Sequence, residues 1–240
     1  MNVLRSDAAW RTPALVLAAS SVILSIGFGI RHGFGLFLQP MSTDLNWGRE
    51  TFALAMAVQN LTWGITQPIA GMLADKYGTA KVVLAGAILY ALGLFTMAHA
   101  TTPTALVLTA GVLIGTSLSG LTFTIFAGIL GRSYPPEKRS MALGISAAAG
   151  SFGQFAMLPV TQWLLSLQGW YGALITLSAV SLAIVPLTLT LVERRANALH
   201  TFQQSATGAV HEALRHRGYL LLTIGFFVCG FQVVFVGVHL

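Results

Sequence analysis

Charge is what this sequence has least of. Of its 240 residues, 8% are Asp, Glu, Lys or Arg and 55% are apolar, too little charge to cover a soluble globule of that length. Residues 82–131 and 140–192 hold no Asp, Glu, Lys or Arg. The chain therefore reads as an all-α integral membrane protein, with the lipid bilayer as its first partner. Cysteine is nearly absent as well: Cys229 stands alone, which excludes an internal disulfide, and no CxxC or Cys/His cluster offers a metal site. No helical HExxH occurs, no span pairs a nucleophile with a base, and GTSLSG at 115–120 is not a GxSG protease pattern. Neither an enzyme nor a cofactor is expected. The net charge of +6 makes no nucleic-acid face, because the basic residues lie in separate gaps between apolar runs.

What is present is long apolar runs. About 20 such residues cross a bilayer at ~1.5 Å per residue, and seven spans can be placed. Helix 1 is expected from about Pro13 to Leu38 and helix 2 from about Phe52 to Leu73. Helices 3 and 4 share Val82 to Gly131, divided at Thr101, Thr102 and Pro103. Helices 5 and 6 share Ser140 to Val192, divided at Gln168 and Gly169, and helix 7 runs from about Tyr219 to Leu240. The basic start of the chain followed by an apolar run is also how a signal peptide begins, but this run continues past any short cleavable core.

Excess Lys and Arg mark the cytoplasmic side. With the N-terminus inside, Arg5, Arg11, Lys76, Lys81, Arg132, Lys138, Arg139, Arg194, Arg195, Arg215 and Arg217 are all cytoplasmic, Arg49 is outside and Arg31 lies within a span. The expected location is the cytoplasmic (inner or plasma) membrane. A seven-helix receptor or retinal protein fits the count but not this orientation, and helix 7 has no Lys for a Schiff base.

Between helices 2 and 3 stands GMLADKYGTAK, residues 71–81, a very short turn in which Gly71 permits close helix approach and Gly78 supplies a permissive backbone. Gly71, Leu73, Ala74, Asp75, Lys76, Gly78 and Lys81 match the helix 2–3 loop of the major facilitator superfamily, which the chain resembles and whose members are secondary transporters. The resemblance implies a six-helix N-terminal half of two inverted three-helix repeats, plus a seventh helix. It also implies a gating role for Gly71, Asp75, Lys76, Gly78 and Lys81. A faint trace of the repeat is the similar interval from Arg49 to Pro68 and from Arg139 to Pro159. The expected organisation is a transporter half over 1–192, a connecting loop over 193–217, and helix 7 over 218–240 as the start of a missing C-terminal half or the complement of a second chain. A truncated, non-transporting membrane fragment is the alternative reading, and a drug/proton antiporter of the same superfamily is another.

Arg31 is the most informative single residue, since an arginine inside a span is costly unless it faces a wet cavity or a partner. Gly27 and Gly35 flank it at four residues either side, and Gly29 and Gly33 form a second small pair. GFGIRHGFGLFLQPM, residues 27–41, resembles helix 1 of the monocarboxylate and oxalate/formate branch, where a basic residue is implicated in carboxylate or proton handling. The implied cargo is a small organic anion, coupled to a proton or a counter-solute, and Arg31 is the candidate ligand for its carboxylate. The competing reading is that Arg31 snorkels to the outer surface. His32 is the proton-coupling candidate, although adjacent helix positions point about 100° apart. Asn60 on helix 2, Gln154 on helix 5 and Gln232 on helix 7 complete the candidate substrate set. Helix 4 has no Arg or Lys to pair with Asp75, and Gln232 stands where the branch often has His.

Overall fold

The computed structural model describes residues 12–192 and 215–239 together with 208 and 212, with side chains as far as 232. Arg5, Arg11, Arg194, Arg195 and most of the expected 193–217 connection lie outside the described residues. The chain divides into two units, Met1–Glu193 and Arg194–Leu240. In the second, the described helix with stated bounds is α7, Arg217–His239.

Among its described residues the first unit holds six helices. α1, Pro13–Asp44, starts where Thr12 caps it, its hydroxyl accepting from the Leu15 N–H at 3.2 Å, with Pro13 at the first helical position. It tightens into a 3₁₀ segment at Gly33–Phe37 and continues to Asp44, beyond the expected end at Leu38. α2, Arg49–Tyr77, ends at Gly78, whose φ of 95° is a conformation that disfavours any other residue, and α3, Thr79–Ala98, begins at once. Thr102 and Pro103 repeat the Thr12–Pro13 start for α4, Pro103–Ser133. The remaining helical stretch, Pro136–Ser181, breaks at Gly169, where φ is 66°. A 46-residue helix would be about 69 Å long, far more than a bilayer, so the break divides α5, 136–168, from α6, 170–191. Sequence reasoning places this division at the same two residues.

Among the described residues, Pro13–Asp44, Thr79–Ala98, Pro103–Ser133 and the double stretch Pro136–Leu191 are long and apolar enough to cross a membrane. α2 has the length, at 29 residues, but Gln59, Asn60 and Gln67 dilute its apolar character.

Side-chain contacts fix the direction of each helix. Along the α1–α5 seam Ser25 Oγ donates to the Ala149 carbonyl at 2.7 Å, a Cβ on Gly29 would strike Met157, one on Gly33 would meet Thr161, and Trp170 at the end of the run bonds Asp44. The two helices therefore run parallel. The α2–α4 seam is parallel too: Gly111 lies against Ala55 and Val58, Gly115 against Gln59 and Thr62, and Gln67 reaches Thr122 at 2.6 Å. α3 and α6 run antiparallel, with Ser178 donating to Ala91 at 2.8 Å and Tyr171 meeting His99 at 3.0 Å. Exchanging helices 1-2-3 for 4-5-6 turns the α1–α5 pair into α4–α2 and leaves α3–α6 unchanged, as inverted repeats require. The interior prolines, Pro68 of α2 and Pro159 of α5, fall on exchanged helices.

Small residues make these seams tight. A Cβ on Gly153 would sit 2.3 Å from Ser25 Cα and from its carbonyl oxygen, so the α1 and α5 backbones touch. Gly71 does not serve this purpose, contrary to the sequence reading: a Cβ there would meet nothing within 4 Å, because the residue lies on a face of α2 that the bundle leaves uncovered. α4 departs from regular geometry in a π-helical segment, Val107–Leu113. Such a turn loosens the regular carbonyl pairing, and buried Gln59 uses the opportunity by donating to the Ala110 carbonyl at 2.7 Å.

Candidate functional site

Arg31 lies about 20 Å before Asp44 at the end of α1, counting the rise per residue. Extension of α1 beyond Leu38 thus places Arg31 nearer the middle of the helix, and its side chain does not snorkel to the outer surface. Its side chain instead turns to α2. Nη2 donates to Asn60 Oδ1 at 2.5 Å, and the guanidinium carbon lies 4.7 Å from the Trp63 ring centroid, within the range of a cation–π contact.

Neighbouring groups hold this arrangement. Asn60 fixes its own amide by donating from Nδ2 to the Met56 carbonyl at 2.8 Å, which leaves Oδ1 turned to the arginine. Phe28, one helical turn before Arg31, packs on Trp63 with ring centroids 6.1 Å apart. Fully buried Tyr90 of α3 donates to the Gly27 carbonyl at 3.1 Å, tying α1 to α3 just below the arginine.

The set of partners is incomplete. Arg31 Nε and Trp63 Nε1 are both buried without a hydrogen-bond acceptor, and among the described residues no carboxylate pairs with Arg31. A buried donor left unpaired costs about 1–3 kcal/mol, and more when charged. The arrangement is a cationic centre short of acceptors, and an anion with oxygen acceptors is the chemistry that completes it.

The other sequence-predicted residues are more dispersed. His32 is half-buried beside Arg31 and makes no hydrogen bond among the described residues. Gln154 is half-buried on α5, next to Gly153 at the α1 seam, and likewise makes none. Gln232 is exposed on α7, in the other unit. In the loop motif, Asp75 is exposed and forms no ion pair among the described residues, Lys76 lies 5.1 Å from the Tyr77 ring centroid, and Lys81 is exposed. Arg132, in the last turn of α4 and just past the expected helix end at Gly131, donates to Thr79 at 3.4 Å, so a basic residue does approach this loop. Sequence reasoning missed Trp63 and Tyr90. Trp63 was findable, because it follows Asn60 by three residues and shares its helix face; Tyr90 sits in an apolar run with no distinguishing neighbour.

A bundle of apolar helices with a guanidinium held between two of them defines a multi-pass membrane protein with an internal polar site. The Major Facilitator Superfamily profile matches residues 15–240, and the chain belongs to that family. It is 34% identical over 177 residues to Monocarboxylate transporter 13 of Rattus norvegicus, covering 68% of this chain and 39% of that protein. Against Monocarboxylate transporter 11 of Mus musculus the identity is 31% over 176 residues, 72% of this chain and 38% of the other. Monocarboxylate transporter 2 of Homo sapiens is 32% identical over 170 residues, 70% of this chain and 35% of the other. The chain thus spans well under half the length of the relatives it matches.

Proposed function

We propose that this chain is one half of a secondary transporter that moves a small monocarboxylate-like anion across the cytoplasmic membrane by alternating access, coupled to protons or a counter-solute. The observation that carries the reading is Arg31: a cation inside the bundle, oriented by Asn60, stacked on Trp63 and without a carboxylate among the described residues. Names of the relatives support the anion class. Asn60 orients the guanidinium, Gln154 is a further substrate contact, and His32 is the group through which a proton couples. Asp75, Lys76 and Lys81 with Gly71 and Gly78 form the gate at the cytoplasmic end.

Uptake of radiolabelled monocarboxylates and dicarboxylates into liposomes under a proton gradient, with this bundle paired to a second one, tests the proposal. Saturable anion uptake that depends on Arg31 is expected. Saturable uptake of cationic solutes without anion uptake would overturn it in favour of a drug/proton antiporter. The chain reconstituted alone is expected to insert but not to transport, because alternating access works one helical bundle against another. Saturable uptake by the chain alone would show that two copies build the cavity.

Orientation has its own test. A cysteine at Asn46, which is exposed in the turn before α2 with φ 51°, is expected to react with impermeant reagent from outside, and one at exposed Lys76 only from inside. The reversed pattern would invert the topology.

A further inference from the structure

Away from the arginine, α2, α3 and the middle of α4 enclose a groove of about 340 Å³. Its walls are Ile69, Leu73 and Tyr77 of α2 and Ala85 and Leu89 of α3. Its floor is where α3 and α4 touch: a Cβ on Gly120 would lie 2.9 Å from the Val82 carbonyl oxygen and 3.3 Å from Gly86 Cα. Ile69, Leu73 and Tyr77 are large side chains left 48%, 41% and 52% exposed, so this face of α2 is open to whatever surrounds the bundle.

Two features identify the occupant. From Thr66 to Tyr77 the groove follows α2 over a rise of about 16 Å, which is half of the ~30 Å hydrocarbon core, or one leaflet. At the Tyr77 end its lining includes Lys81, exposed and without a hydrogen bond or ion pair among the described residues. Lys76 lies against the Tyr77 ring at the same end. Asp75 is the neighbouring acid, but it does not line the groove. A slot one leaflet deep, apolar along its length and cationic at its mouth, matches one molecule: a lipid with an acyl chain and an anionic headgroup.

We propose that this groove binds an anionic glycerophospholipid, one acyl chain lying between α2 and α3 and the headgroup phosphate on Lys81. The site is independent of the arginine centre and of the anion the protein carries. A loop motif with a lipid phosphate on Lys81 is tied to the composition of the leaflet it faces.

The full chain, purified in mild detergent and offered equal amounts of phosphatidylglycerol and phosphatidylcholine of the same acyl length, tests this by native mass spectrometry. One retained phosphatidylglycerol, preferred about fivefold, is expected, the factor that a single lysine near an anionic surface contributes. Lys81→Gln should bring the two lipids to parity and Lys81→Arg should keep the preference, neither changing thermal stability, because the side chain is exposed. Ala85→Trp, which fills the groove without altering charge, should lose both lipids. Equal retention by the unmodified chain, or a preference that survives Lys81→Gln, overturns the headgroup assignment. Lipid retention undiminished in a folded Ala85→Trp variant overturns the groove, as does a second protein copy appearing in place of the lipid. Lys81→Gln remains decisive if Ala85→Trp does not fold.

Discussion

Arg31→Ala is expected to lower kcat/KM for the preferred carboxylate by about a hundredfold, the loss that follows when a hydrogen bond to a charged group worth about 1.5–3 kcal/mol is removed. Arg31→Lys should retain part of the activity. Lysine keeps the positive charge but not the planar fork, and so cannot both donate to Asn60 and lie flat over Trp63 as the guanidinium does. Asn60→Ala should act more mildly, since it removes the group that orients Arg31 and leaves the charge. The measurement is initial uptake by the bundle paired to a second one, as the proposed function requires, at several substrate concentrations and normalised to protein in the membrane. Normal transport by Arg31→Ala would make the arginine a packing residue and end the anion proposal, without touching the lipid groove.

Gly153→Ala is the second large effect, and it acts on the fold. The added methyl would lie 2.3 Å from Ser25 Cα. Backbone cannot rotate away as a side chain can, so α1 and α5 must separate. Overpacking of this kind costs about 1–3 kcal/mol, and separation would also break the bond from Ser25 Oγ to the Ala149 carbonyl, about 1 kcal/mol more. A drop in melting temperature of roughly 5–15 °C follows for a chain of this size. Gly64→Ala is the control: no atom lies within 4 Å of its added Cβ, and alanine is the better helix former, so stability should hold or rise slightly. Equal melting temperatures for the two variants would mean that the α1–α5 contact is looser than it stands here.

These two glycines show where the sequence was legible and where it was not. Helix boundaries were readable where their causes are local, as at Pro13, Thr102–Pro103 and Gly169; α2, expected to end near Leu73, instead runs on to Tyr77 and stops only at Gly78. Glycines inside helices were not readable one by one. Gly64 and Gly71 look like Gly29 and Gly153 in sequence, yet two face open space and two hold helices together, a difference set by which helix lies opposite. Arg31 announced itself by cost alone, and Asn60 by its polarity within a span. Spacing alone puts Trp63 on the Asn60 face, but its contact with the guanidinium needed the third dimension. α1 continues past its expected end at Leu38 because Pro40 falls in the first turn of Leu38–Asp44, where proline is tolerated.

The unequal lengths of the helices bear on the membrane itself. α3 has 20 residues, about 30 Å, which equals the hydrocarbon thickness of a typical bilayer. It is bracketed by Tyr77 and Lys81 at one end and by His99 with Tyr171 at the other, residue types that settle at the interface. α1, with 32 residues, has length to spare and ends at Asp44, bonded by Trp170 at 2.8 Å. Hydrophobic mismatch is therefore felt first by α3, the helix without slack. A bilayer several ångströms thinner or thicker must tilt it or deform around it, and because α3 is joined to α1 through Tyr90 and Gly27, that tilt is passed to the segment carrying Arg31.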